Sequence, residues 1–226
     1  EKIADEMGII RLSADGEPAC YARHPLVYLV EAADDICYEI MDIEDSHKLK
    51  ILSFDETAVL LLGFFDSIGQ QNIHNRIATE QLTDDNEQIV YMRACVISQL
   101  EQECVRVFIE NEEKILSGEF QGSLIEHISD IPRQAYERCA KMSKQKIYCS
   151  KPVLDVELAG YKIMETLMEQ MTEAAVHPDR YYSKQLISRV SSQYDIHSDN
   201  LETRLMAVID YISGMTDVYA LDIYQK

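Results

Sequence analysis

The chain has 226 residues, 46% of them hydrophobic, with only 8 Gly and 5 Pro; this excludes an all-β architecture built on many tight turns and suits long helices. Forty Asp and Glu against 21 Lys and Arg give a formal net charge of -19, which repels nucleic-acid backbones and excludes general DNA or RNA binding. No apolar run reaches the ~18 residues that a membrane span needs, and the six cysteines, Cys20, Cys37, Cys95, Cys104, Cys139 and Cys149, form no C-x-x-C pair, so small core thiols in a reducing, cytoplasmic setting are expected.

Residues 1–11 read as the end of a helix, and a first residue other than Met reads as a start inside a longer polypeptide. "SADGEPAC", 13–20, is a loop by its Gly, Pro, Ser and Asp content. Pro25 suits a first helical turn, and a helix is expected from there to about Asp45. "DETAVLLLGFF", 55–65, predicts a helix with Asp55 as N-cap. From Asp84 a long amphipathic helix is expected to run to Gly118, carrying Ile89, Met92, Val96, Leu100, Cys104, Val107 and Ile115 near the 3.6 period. "SDIPRQAYERCAKMSKQKIYCS" predicts another, whose tail holds the one locally basic segment, Arg138, Lys141, Lys144, Lys146 and Lys151. The β-branched run near Ile147–Val156 could be extended, although Pro152 interrupts it. Helices over 155–176, about 180–194 and 200–225 complete the chain, the last with Ser198 or Asp199 as N-cap. With no repeat or linker, one all-α unit over 1–226 is expected.

"EAADDICYEIMDIED", 31–45, places seven acidic residues in fifteen. On a helical wheel Leu26, Leu29, Val30, Ala33, Ile36, Cys37, Ile40 and Ile43 form one arc, and Glu31, Asp34, Asp35, Tyr38, Asp42 and Asp45 the opposite one. Asp34, Tyr38 and Asp42 follow i, i+4, i+8 and so form a row along the axis. Such a face is ordinarily solvated, yet its unrelieved like charge would be eased by a cation. A catalytic metal takes three or four protein ligands. None of the six histidines, His24, His47, His74, His127, His177 and His197, sits in H-x-x-x-H or precedes an Asp. These residues alone leave open a wet acidic face, a regulatory or oligomerisation module with 84–117 as its interface, and one wall of a metal site.

"RHPLVYLVEAADDICYEIMDIED", 23–45, closely resembles the segment that holds the last metal-binding Asp in the bacterial deoxyguanosine triphosphate triphosphohydrolases of the HD-domain superfamily. "ILSGEFQGSL", 115–124, "ELAGYKIMETLM", 157–168, and "DYISGMTDVYALDIYQK", 210–226, continue the likeness. The resemblance implies the C-terminal portion of a multi-helix, HD-domain-like bundle, with the end of the metal-site core over about 1–54 and a helical region over about 55–226. It implies a homo-oligomer that uses a divalent metal (Mg, Mn or a similar transition metal) to split a deoxynucleoside triphosphate, dGTP first among them, into deoxynucleoside and tripolyphosphate. By position Asp34 corresponds to the distant metal ligand, Tyr38 and Asp42 to the pair that contacts the sugar, and Arg93 to a phosphate-contacting or structural arginine. Asp35, Glu39, Glu44 and Asp45 remain solvent-facing or structural residues. Two departures follow: the family's other His and His-Asp ligands have no counterpart, so the 226-residue chain alone is expected to be inactive. Where relatives carry Arg after "GMTD", this chain has Val218. A related HD phosphohydrolase acting on another nucleotide would share the same Asp34.

Overall fold

A computed structural model describes residues 2–14 and 16–225; Glu1 of the expected first helix, Asp15 of the expected loop and Lys226 of the closing motif lie outside the described residues. Among those described there are eleven α-helices and no strand, beyond one isolated bridge between Arg11 and Tyr21. The all-α expectation is met. The chain forms two compact units, within residues 1–150 and 151–226. The helix that begins at Phe54 shares its core with the helix before it. Amphipathic helices on both sides of residue 150 give the sequence no break in composition there.

In the first unit, α1 (Lys2–Glu6) is followed by α2 (Pro25–Lys48), α3 (Phe54–Leu62), α4 (Ser67–Thr79), α5 (Asp85–Glu110), α6 (Glu112–Leu116) and α7 (Asp130–Met142). The period read over 84–117 is the buried face of α5: Ile89, Val96 and Leu100 are fully enclosed, and Met92, Cys104 and Val107 nearly so. The expected single helix breaks at Asn111 (φ -114, ψ 16), whose side-chain amide donates to the Val107 carbonyl at 2.9 Å. A local side-chain bond of this kind competes with the helical ladder. The chain then turns out of α6 at Gly118 (φ 76), where Glu119 N–H reaches Lys114 O at 2.8 Å. A Cβ on Gly118 would stand 2.8 Å from the Ala22 methyl, so this position needs glycine for space as well as for conformation.

The inward face of α2 differs from the expected arc. Tyr28, Ala32, Ile36, Ile40 and Ile43 are buried, whereas Leu26, Val30 and Cys37 are exposed. Tyr28 fixes this rotation: its hydroxyl donates to Phe120 O at 3.1 Å and its ring meets Phe120 edge-on at 5.3 Å. α4 was not expected from sequence, since Ile73 is its one buried residue; Asp66 caps it through Gly69 N–H at 2.7 Å.

The N-cap of α3 is Ser53 rather than Asp55. Ser53 Oγ accepts from Glu56 N–H, and Glu56 Oε2 accepts from Ser53 N–H, at 3.3 and 2.9 Å. Lys146 also donates to Glu56 at 2.6 Å, and this ammonium with the Ser53 donors holds the Glu56 carboxyl down at about 2. A depressed carboxyl stabilises the fold above its unfolded range and loses that contribution as pH falls towards the folded value. Ser53→Ala is expected to cost about 1 kcal/mol in urea unfolding at pH 7, with less of that cost remaining near pH 2.

In the second unit, α8 (Lys151–Val176), α9 (Tyr181–Ile187), α10 (Leu201–Ser213) and α11 (Asp217–Tyr224) enclose Leu167, Met171, Val208, Tyr211 and Ile212. Pro152 does not interrupt a strand; it is the second residue of α8, where its missing N–H is harmless. The helix expected over 200–225 is two helices, because α10 ends at Gly214 and Thr216 Oγ1 caps α11 through Tyr219 N–H. The N-cap of α10 is Asn200 rather than Ser198 or Asp199. Arg204 donates to Ala175 O and Ser198 O, both at 2.8 Å, and so ties α10 to the end of α8. Val218 is exposed.

Candidate functional site

Asp34, Tyr38 and Asp42 lie in one row on α2, turned away from the core residues Ile36 and Ile40. Asp34 and Tyr38 are exposed and Asp42 is half-buried. Asp34, Asp35, Tyr38 and Glu39 form one wall of an open recess of about 330 Å³; Tyr136 of α7 and Tyr148 form the other. Tyr148 follows a π turn, Ser143–Ile147, that continues α7. Its N–H donates to Ser143 O at 2.9 Å, a bond spanning five residues instead of four.

Three hydrogen bonds clamp this second wall to α2. Tyr136 OH donates to the Asp35 carbonyl at 3.2 Å, Ser143 Oγ to Glu39 Oε1 at 2.7 Å, and Tyr148 OH to Asp42 Oδ2 at 2.6 Å. Donation to Asp42, followed by burial, pushes the Tyr148 phenol well above the ordinary tyrosine range. Burial pushes the Tyr136 phenol up, with the Asp35 and Glu39 charges adding to it. Burial likewise raises Asp35, reinforced by Glu31, Asp34 and Glu126 and opposed by Arg23. Glu39 is raised by burial above all, and the Ser143 hydroxyl opposes that rise while Asp42 adds to it.

A carboxyl whose folded pKa exceeds its unfolded one weighs against folding at neutral pH, and the burden lifts as pH falls into its titration range. Glu39→Gln keeps an acceptor for Ser143 and removes the charge. It is expected to raise the urea midpoint at pH 7, with the gain closing by about pH 3.5, below the ordinary glutamate pKa.

Arg93 is not brought to this recess. Its Nη1 lies 2.8 Å from Oε2 of Glu44, a residue exposed by only 2%, while Lys48 Nζ approaches Glu44 Oε1 at 2.6 Å. The contact to Arg93 is close without being aligned as a hydrogen bond, and Arg93 Nε is buried without a partner. Glu44 is therefore a buried ion-pair partner, not a solvent-facing acid. One turn on, both ring nitrogens of His47 are buried and unpartnered.

A divalent metal does not find a full ligand set in these residues. Among the described residues no group of three or more His, Cys, Asp or Glu side chains is placed to hold one. The recess supplies Asp34 as an exposed carboxylate, whereas Asp35 and Glu39 are elevated in pKa and Glu39 and Asp42 are already hydrogen-bonded. Sequence reading alone missed Ser143, Tyr136 and Tyr148. Tyr136 stands just before the one basic segment and Ser143 and Tyr148 within it, and the approach of Tyr148 to α2 depends on the π turn.

Residues 127–226 match the family described as the Phosphohydrolase-associated domain. That match takes in Tyr136, Ser143 and Tyr148 of the recess and lies outside α2. Over its whole length the chain is 28% identical to a deoxyguanosinetriphosphate triphosphohydrolase-like protein of Pseudomonas aeruginosa and covers 51% of it. It is 30% identical to one of Synechocystis sp., covering 49% of that protein. A deoxyguanosinetriphosphate triphosphohydrolase of Klebsiella pneumoniae is 24% identical across 99% of the chain and 52% of its own length. The chain is thus a homologue of the deoxyguanosinetriphosphate triphosphohydrolase proteins and spans about half the length of the curated relatives it matches. Among the described residues no helix is long and apolar enough to cross a membrane.

Proposed function

We propose that this chain forms one wall of the active site of an enzyme that cleaves dGTP, or another deoxynucleoside triphosphate, into deoxynucleoside and tripolyphosphate with a divalent metal. Asp34 and Tyr38, which line the recess, and Asp42, in the same row and bonded to Tyr148 of its opposite wall, carry the reading. Asp34 is assigned to the metal as one carboxylate ligand. The metal would supply Lewis-acid chemistry at the phosphate; the described residues do not complete its coordination. Asp42 is an acceptor suited to a sugar 3′-hydroxyl, and the exposed Tyr38 ring is placed one turn away to pack against the sugar. Arg93, paired with Glu44, is assigned a structural role. The family names support a nucleotide substrate, and free thiols at all six cysteines support a reducing, cytoplasmic setting. A homo-oligomeric assembly belongs to the same reading.

The test is product analysis. The full-length protein is incubated with each of the four dNTPs and with GTP, in Mg²⁺ or Mn²⁺, and the products are separated by anion exchange. Tripolyphosphate and deoxynucleoside in equal amounts are expected. Orthophosphate or pyrophosphate as the primary product, or turnover of GTP equal to that of dGTP, rejects the reading. The 226-residue chain alone is expected to release no tripolyphosphate.

A further inference from the structure

This inference rests on the assignment of Asp42 to the sugar and extends it: we propose that Tyr148 is a positioning residue that fixes the Asp42 carboxylate so that it reads a donor hydroxyl at C3′ of the substrate. The phenol donates its single proton to Oδ2 at 2.6 Å. Oδ1 makes no hydrogen bond with a described residue, and so keeps its lone pairs for an incoming donor. An aspartate carboxylate otherwise turns through a broad, two-fold torsional well, and a ligand hydroxyl would have to immobilise it on binding. Here that ordering is complete beforehand.

Tyr148 is itself anchored. Its N–H closes the π turn on Ser143 O at 2.9 Å, and Ser143 Oγ holds Glu39, one turn before Asp42 on α2. The phenol therefore sits on a backbone tied to the same helix as the carboxylate it orients. It also lines the recess beside Asp34 and Tyr38. A carboxylate held in this way accepts from a hydroxyl and gains nothing from a carbon that lacks one. Selection for a free 3′-hydroxyl is the consequence, with Tyr148 acting through Asp42 and not on the sugar.

The experiment uses the full-length protein, wild type and Tyr148→Phe, with dGTP and 2′,3′-dideoxyGTP as the two ligands, read by calorimetric affinity and by KM and kcat. Wild type is expected to favour dGTP, and Tyr148→Phe to cut that preference by about five- to tenfold, the effect of losing one ordinary hydrogen bond. The loss is expected in dGTP affinity and KM alone, with kcat and dideoxyGTP affinity held within about twofold. Equal weakening of both ligands would show direct contact or packing and would overturn the proposal, as would an unchanged preference. If wild type shows no preference and Asp42→Asn binds dGTP normally, the sugar assignment of Asp42 fails and this inference fails with it. A preference that depends on Asp42 but not on Tyr148 defeats the inference alone.

Discussion

In the full-length protein, Asp34→Ala is expected to lower dNTP hydrolysis by more than about 100-fold, the upper end of what loss of a mere outer-shell partner to a metal ligand costs. The structure makes this substitution informative. Asp34 is exposed and makes no hydrogen bond or ion pair with a described residue. Its charge adds to the crowding that raises the neighbouring Asp35. Removing it takes away repulsion and no contact, so the unfolding free energy is expected to stay within about 0.5 kcal/mol of wild type or to rise slightly. Bound metal, measured on the purified protein by mass spectrometry, is expected to fall with activity. Asp45→Ala, which removes an exposed acid from the same helix, is the control and leaves both unchanged. Full turnover and full metal content in Asp34→Ala would end the assignment.

Arg93→Ala is expected to destabilise the fold by about 3 kcal/mol, at the lower end for one partner of a buried ion pair. Glu44 lies on the inner side of α2 and keeps only Lys48 when Arg93 is lost. Lys48 is partly solvated and shared with Asp45, so it compensates incompletely. The double variant Glu44→Leu with Arg93→Leu removes both charges together and is expected to recover most of the loss. Urea unfolding of the three variants measures this. Had Arg93 served the phosphates, its removal would instead raise KM at unchanged stability. A change in KM with wild-type unfolding would therefore refute the structural assignment.

The buried faces of α2 and α5 differ in how far periodicity discloses them. The buried side of α5 is legible residue by residue, because its apolar positions recur at three and four against a polar background. α2 is not, because apolar residues occupy more than half of its circumference and periodicity cannot choose among them. The choice is made by Tyr28 and the carbonyl of Phe120, a contact between residues far apart in the chain. The burial of Glu44 hangs on Arg93 in the same non-local way. α4 escaped because a helix with one buried residue carries almost no periodic signal. At the recess, the row Asp34, Tyr38, Asp42 needed only the pitch of a helix. Its opposite wall needed the register of the π turn, which no residue type announces.

That turn makes the recess sensitive to chain length rather than to residue identity. Lys144, Gln145 and Lys146 are exposed within it, and substitutions there keep the backbone path. Adding one residue among them would carry Tyr148 past the position that Ser143 O closes. Tyr148 would then swing about 100° around the helix axis, and its hydroxyl would leave Asp42. A homologue with one residue more between Ser143 and Tyr148 would keep every side chain named here and still lose the clamp, so insertions in this short segment carry more functional weight than point differences.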